Sequence, residues 1–250
     1  QFNSTIDSIM QNVRSLIAEQ EVELYAQSQS LYEDSMIYET NDYILNRKLN
    51  SNDKNKTELE AQIKFNTSWR WPGMIIRPGL DPYIEDLVPL DPLYLVDQHK
   101  ELLTPAVEKF NPVYQNRLRQ YVIDDRQPGE ILKALPDGQF GFIFANMFFN
   151  FKPMDLLKKY LDELYRKMRP GGVLIFTYNE CNKWQGVDLA ERNFMCYTPG
   201  NQIRLYAESL GFMITRNITD PANAAWFAMS KPGDLDSLRG GQALAKIIPK

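Results

Sequence analysis

Asp97 closes a short apolar run, Leu93 to Val96, and follows Gly79 by 18 positions. A carboxylate at a strand end, roughly 20 residues after a glycine turn, can accept hydrogen bonds from both hydroxyls of a ribose. Two further acids, Asp124 and Asp125, close the run Gln120 to Ile123, and Asn146 closes Phe140 to Ala145. Polar residues at the ends of successive apolar runs gather at one edge of a parallel sheet, where open α/β folds bind their ligands. The stretch WPGMIIRPGLDPYIEDLVPLDPLYLVD contains a strand, a Pro78-Gly79 turn, a short helix, a second strand and its terminal acid. This is the plan of a nucleotide-binding βαβ unit, in which the glycine lets the backbone approach the ligand.

The surrounding elements continue the alternation. Helical spacing predicts helices over 99–110, 112–118, 128–135, 153–168 and 199–210. Apolar runs predict strands at 73–76, 93–96, 120–123, 140–145 and 173–178, then two more at 212–216 and 224–229. The gap between the last two is too short for a crossover helix, so they pair antiparallel. Strands alternating with helices imply a parallel sheet covered on both faces. Ahead of it, residues 4–49 read as helical, with Ile6, Ile9, Val13, Leu16 and Ile17 on one stripe. This arm either packs on its own domain or pairs with a second copy. Asn50 to Thr57 is a polar linker, and Thr57 to Glu60 has the form of a capping box opening a helix to Phe65. Trp69 and Trp71 are expected to cover the core. The domain reading is a helical extension over 1–66, an α/β domain over 67–233 and a tail over 234–250.

Composition narrows the class. An apolar fraction of 44% suffices for a full core in a chain of 250 residues. No apolar run is long enough to span a membrane, and no signal peptide is visible. With two cysteines, Cys181 and Cys196, a reducing compartment such as the cytoplasm is expected. The Asn3, Asn55, Asn66 and Asn217 sequons are expected to be unmodified. The net charge is −4, the excess of acids falls in residues 1–70, and no basic stripe suits nucleic acid. The cysteines lack the spacing of a zinc site and a histidine partner, so no metal is expected.

With RPGLD after the first strand, LYLVD ending the second, VIDD the third, FGFIFAN the fourth, RPGGVLIF leading the fifth and the closing hairpin, residues 71–232 resemble the class I S-adenosylmethionine-dependent methyltransferases. The phrases DPLYLVD, FNFKP, MCYTPG and RGGQALAKI are also similar to methyltransferase-like proteins of marine bacteriophages. The resemblance implies a Rossmann-like sheet of seven strands, mostly parallel with an antiparallel last strand, and S-adenosylmethionine at the strands' carboxyl ends. It makes Gly79 the central glycine of the first motif and Asp97 the ribose ligand. It gives Asp124 or Asp125 the adenine amino group, and Asn146 a place beside the transferring methyl. Tyr178 and Asn179, after the fifth strand, and Tyr197 are candidates to line an acceptor pocket.

The chain departs from the family at the first motif. Ile75 stands where the family has glutamate, and Arg77 and Asp81 replace its outer glycines. Arg77 either meets the cofactor's carboxylate as a bidentate partner or fills the space the cofactor needs. Methyl transfer from a sulfonium rests mainly on alignment, which accounts for about 7–11 kcal/mol of barrier reduction. No fixed triad is therefore required. His99, the only histidine, is read as structural. The motif of nucleic-acid amino-methyltransferases is absent, which leaves a small-molecule or protein acceptor. The competing expectation is an inactive methyltransferase-like module serving interaction or virion assembly through its N-terminal helices.

Overall fold

The computed structural model describes residues 5–6, 8–13, 16, 54–79, 81–193, 195–219 and 225–235. The chain divides into two units, Gln1–Thr40 and Asn41–Lys250. In the first, the described residues are helical, and Ile6, Ile9, Met10, Val13 and Leu16 are exposed at helical spacing. The rest of the expected 4–49 helix, and the tail from 236, lie outside the described residues.

The second unit begins with α1 (Lys54–Asn66), then β1 (Gly73–Ile76), a 3-10 turn (Ile84–Leu87) and β2 (Leu93–Asp97). Helices α2 (Lys100–Glu108) and α3 (Pro112–Gln115) lead to β3 (Leu118–Val122) and β4 (Phe140–Ala145). A second 3-10 turn (Phe149–Phe151), α4 (Met154–Lys167) and β5 (Met168–Tyr178) follow. Helices α5 (Trp184–Asn193) and α6 (Gly200–Leu210) and strands β6 (Met213–Ile218) and β7 (Ala225–Ser230) complete it. The strands form one sheet in the order β3-β2-β1-β4-β5-β7-β6. The first five run parallel, and β7 pairs antiparallel with both β5 and β6. The seven-stranded, mostly parallel sheet expected from the sequence is the one observed.

Burial on both sheet faces explains the continuous apolar runs of β1 and β4. Side chains on a strand alternate faces. Ile143 and Ala145 of β4 join one core layer with Leu157, Tyr160, Leu161 and Leu164 of α4. Phe142 and Phe144 join the other, with Leu103 and Ala106 of α2 and Leu59 and Ile63 of α1. Helix α1, grouped by the sequence with the extension, thus packs on the sheet, and its Glu58 meets Arg216 of β6 at 3.1 Å. It starts at Lys54, ahead of the expected capping box. Trp71 is buried and Trp69 exposed, so one of the two tryptophans covers the core. Arg169 lies over the Trp71 ring at 4.1 Å.

Three local readings change. Residues 128–135 form turns rather than a helix. Their backbone is held from outside: Glu163 of α4 accepts hydrogen bonds from the Ile131 and Leu132 amides at 2.8 and 2.6 Å. Lys167 Nζ donates to the Leu135 carbonyl at 2.7 Å and to Asp137. Strand β5 starts at Met168 and so contains the Arg169-Pro170-Gly171-Gly172 segment read as a turn. Helix α5 has no counterpart in the sequence reading. Gly186 masks it: a Cβ there would stand 2.0 Å from the Glu180 carbonyl, so the helix carries a glycine its packing demands.

Glu163 is buried, and truncating it would orphan two backbone amides at once. Glu163→Ala is expected to cost about 3 kcal/mol of stability in denaturant unfolding. Hydrogen exchange should then accelerate selectively at Ile131 and Leu132.

Candidate functional site

The carboxyl ends of β1, β4 and β5 meet in one polar cluster. Ile76 of β1 is paired with Ala145 of β4, and the chain turns at Arg77 after β1 and at Met147 after β4. Arg77 has φ 60° and Met147 φ 54°, the left-handed region that L residues avoid. The Arg77 guanidinium joins these two strained residues, since Nη1 donates to the Met147 carbonyl at 3.3 Å. It also lies over the Phe151 ring, 5.3 Å from its centroid. Its Nη2 is buried with no hydrogen-bond partner among the described residues. A guanidinium nitrogen held out of water with nothing to donate to fits an incoming carboxylate.

Two positions after Arg77, Gly79 has φ 24°, and a Cβ built on it meets no atom of the described residues within 4 Å beyond its chain neighbours. The loop therefore keeps room at its central glycine, although Arg77 and Asp81 stand where flanking glycines were expected. Asp81 is buried and accepts a hydrogen bond from the Tyr83 amide at 2.8 Å. Burial pushes its pKa up to about 7, against the lowering effects of the Tyr83 amide, the Asn146 side chain and Lys109. Lys109 Nζ reaches the Asp81 backbone carbonyl at 3.3 Å. The sequence reading treated Asp81 only as a lost glycine. The signal that could have found it is an acid placed in an otherwise apolar strand-end loop.

Across the cluster, the buried Thr177 hydroxyl accepts from the Met147 amide at 2.6 Å. Its one proton goes to Asn150 Oδ1 at 2.8 Å in preference to Asn146 Oδ1 at 3.4 Å. The Asn146 side chain hydrogen-bonds Asp81. Arg77, Gly79 and Asn146 are thus brought together, with Asp81 and Thr177 between them.

The second group lies along β2 and β3. Asp97 is buried, its Oδ1 accepts from the His99 amide at 3.0 Å, and its carbonyl accepts from the Ile123 amide at 2.9 Å. His99 caps α2 through its backbone, in keeping with a structural reading. The two candidate adenine acids part company. Asp124 is exposed and caps its own turn: burial raises its pKa, but the hydrogen bonds and charge of Arg126, with Gln127, together outweigh this and lower it. Asp125 is buried. Gln98 donates to its Oδ1, and Lys152 at 3.0 Å and Tyr160 at 2.9 Å engage its Oδ2. Lys152 also donates to Gln98 Oε1 at 2.6 Å. Asp125 therefore neutralises a buried lysine, as a buried ion pair must when neither member has water.

The expected acceptor residues are separated as well. Tyr178 is fully buried, and its hydroxyl meets Glu180 at 3.0 Å and Asn217 at 3.3 Å. Asn179 is buried, and its amide donates to the Gly186 and Cys196 carbonyls at 2.7 and 3.0 Å. Both anchor the segment that carries α5. Tyr197 is exposed on that segment and bonds Glu191. A surface cleft of about 510 Å³ at the opposite end of the strands is lined by Ser68, Arg70, Trp71 and Gly171, and by none of the strand-end acids.

Asp81 gives a stability test with a defined sign. A folded-state pKa raised from 3.8 to about 7 means the native protein binds a proton more tightly than the unfolded chain. Stability then falls as pH rises from about 4 to about 7 and levels off above. Asp81→Asn keeps the turn-capping oxygen and removes the charge. It is expected to stabilise the protein at pH 8 by up to about 4 kcal/mol and to change little at pH 4, measured by urea unfolding at both pH values.

A family described as "Methyltransferase domain" matches residues 85–176. Comparison with curated protein sequences gives no match. Solved structures match across most of the chain. The N-methyltransferase NodS from Bradyrhizobium japonicum WM9, in complex with S-adenosyl-L-homocysteine, matches with a TM-score of 0.57 at 13% identity, covering 82% of this chain and 98% of that one. An S-adenosylmethionine-dependent methyltransferase from Clostridium acetobutylicum matches with a TM-score of 0.53 at 16% identity, covering 84% of this chain and 100% of that one. A Haemonchus contortus phosphoethanolamine N-methyltransferase, bound to phosphomonomethylethanolamine and S-adenosylhomocysteine, matches with a TM-score of 0.52 at 16% identity over 70% of this chain. This chain spans 53% of that enzyme's length. The matched region, the strand order and the antiparallel β7 together show that the α/β unit has the Rossmann-like fold of the class I methyltransferases.

Proposed function

We propose that the protein transfers a methyl group from S-adenosylmethionine to a small-molecule or protein acceptor. The observation that carries this reading is the buried Arg77 Nη2, without a hydrogen-bond partner among the described residues, on the loop after β1 that also carries Gly79. A loop collapsed onto itself would have satisfied that nitrogen or filled that space. When bound, S-adenosylmethionine supplies a methyl group on a sulfonium, which leaves as a neutral thioether and needs no acid.

The chain's own groups bind and orient. Arg77 takes the carboxylate, Gly79 admits the ligand to the backbone, and Asp97 accepts the ribose hydroxyls. Asn146, at the end of β4, stands beside the reacting carbon. Asp125 serves this site indirectly, by holding Lys152 and Gln98, the residue after Asp97, in one bonded set. The segment carrying Tyr197 supplies the acceptor side, and Tyr178 and Asn179 fix where that segment leaves β5. Such a site accelerates transfer by alignment, and a general base enters only if the acceptor must lose a proton.

Calorimetric titration with S-adenosylhomocysteine tests the reading. Binding by the wild-type chain is expected, weakened at least about 10-fold by Asp97→Ala, since a charged hydrogen-bond acceptor is worth about 1.5–3 kcal/mol. Absence of binding up to millimolar ligand would sink the proposal.

A further inference from the structure

We infer that Asp81 takes the α-ammonium of the cofactor's amino-acid part, opposite Arg77 for its carboxylate, so that one loop holds both charges of the zwitterion. This rests on the reading of the site as one for S-adenosylmethionine, and it assigns a residue that the glycine pattern leaves without a role.

The juxtaposition is built at the end of β4. Arg77 Nη1 donates to the carbonyl of Met147, and Asp81 meets the side chain of Asn146, the residue before it. The guanidinium and the carboxylate, four positions apart on the loop after β1, are therefore pinned to neighbouring residues of one strand end. The open Gly79 lies between them in sequence. An α-amino acid carries its ammonium and carboxylate on a single carbon, so its two partners must stand close together on one side of the ligand.

Among the described residues no cation forms an ion pair with the Asp81 carboxylate, although Lys109 acts on it electrostatically. The groups around it are the Tyr83 amide and phenol, the Asn146 amide and Lys109, whose ammonium reaches the Asp81 backbone carbonyl. Glu60 and Asp86 act on the same pocket through Tyr83. Burial holds the Asp81 carboxyl partly protonated near neutrality. An arriving ammonium would favour the carboxylate and drive the proton off. Arg77 and Asp81 thus replace the two outer glycines with a complementary pair of charges. In this assignment the departures from the family pattern are the means of holding the amino-acid end.

The test is calorimetry on the full chain at pH 7, in two buffers of different ionisation enthalpy. The ligands are S-adenosylhomocysteine and 5′-methylthioadenosine, which keeps the adenosyl thioether and lacks the amino acid. The wild type is expected to release about half a proton per S-adenosylhomocysteine and none with 5′-methylthioadenosine. Asp81→Asn should abolish that release and weaken S-adenosylhomocysteine about 10-fold, leaving 5′-methylthioadenosine unchanged. Equal affinities and proton counts in the two proteins would overturn the assignment while leaving the proposed function standing. Failure of the wild type to bind either ligand would overturn both. Should the variant not fold, the proton count of the wild type with the two ligands still decides, since equal counts reject the role of Asp81.

Discussion

The hydrogen bond from Arg77 to the Met147 carbonyl is the constraint around which the polar end of the sheet is arranged. Parallel strands end with backbone groups aimed at a common edge, and those groups need partners once helices cover both faces. Here β1 and β4 end on residues forced into the left-handed region, at a cost of about 1–2 kcal/mol each. The guanidinium spans the two turns, and Thr177 secures the second through the Met147 amide. The same arrangement leaves one guanidinium nitrogen unused. Strain at both turns and a buried donor without a partner among the described residues thus coincide at one edge of the sheet.

The other strand ends are settled differently. Between β2 and β3, Gln98, Asp125, Lys152 and Tyr160 form a closed set in which the buried charges cancel. This set braces the residue next to Asp97 and links it to the turn after β4. One half of the edge is therefore held by paired buried charges, and the other half keeps, among the described residues, a buried guanidinium nitrogen of Arg77 without a hydrogen-bond partner. Paired charges hold a buried polar set in one arrangement, whereas a donor left without a partner is costly to bury.

Beyond β5 the chain is held by buried side chains aimed at backbone. Asn179 grips the carbonyls of Gly186 and Cys196, and Glu180 accepts from the Asn182 and Gly200 amides. Glycine at 200 is required there, because a Cβ would stand 2.3 Å from the Tyr178 hydroxyl and 2.4 Å from Glu180 Oε2. Residues that look like substrate contacts in one dimension thus carry the segment that flanks the site. That segment exposes Trp184, Val187 and Tyr197.

The sequence alone determined the architecture. Period-2 and period-3.6 apolar patterns are local, so strand count, the strongly amphipathic helices such as α4 and the antiparallel closing pair were legible in it. So were the strand-end positions of Asp97, Asp125 and Asn146, because a strand's end is marked by the loss of apolar residues. What a strand-end polar group does was decided by the tertiary structure. Asp124 and Asp125 are adjacent and chemically identical, yet one faces water and the other neutralises Lys152, a residue 27 positions away. The turns over 128–135 depend on Glu163 and Lys167 from α4, and α5 depends on Gly186 packing against Glu180, both invisible to local pattern. Arg77 left two readings open in sequence, cofactor partner or plug. The fold points its guanidinium to the Met147 carbonyl and keeps Gly79 clear, and only the meeting of β1 with β4 could establish that.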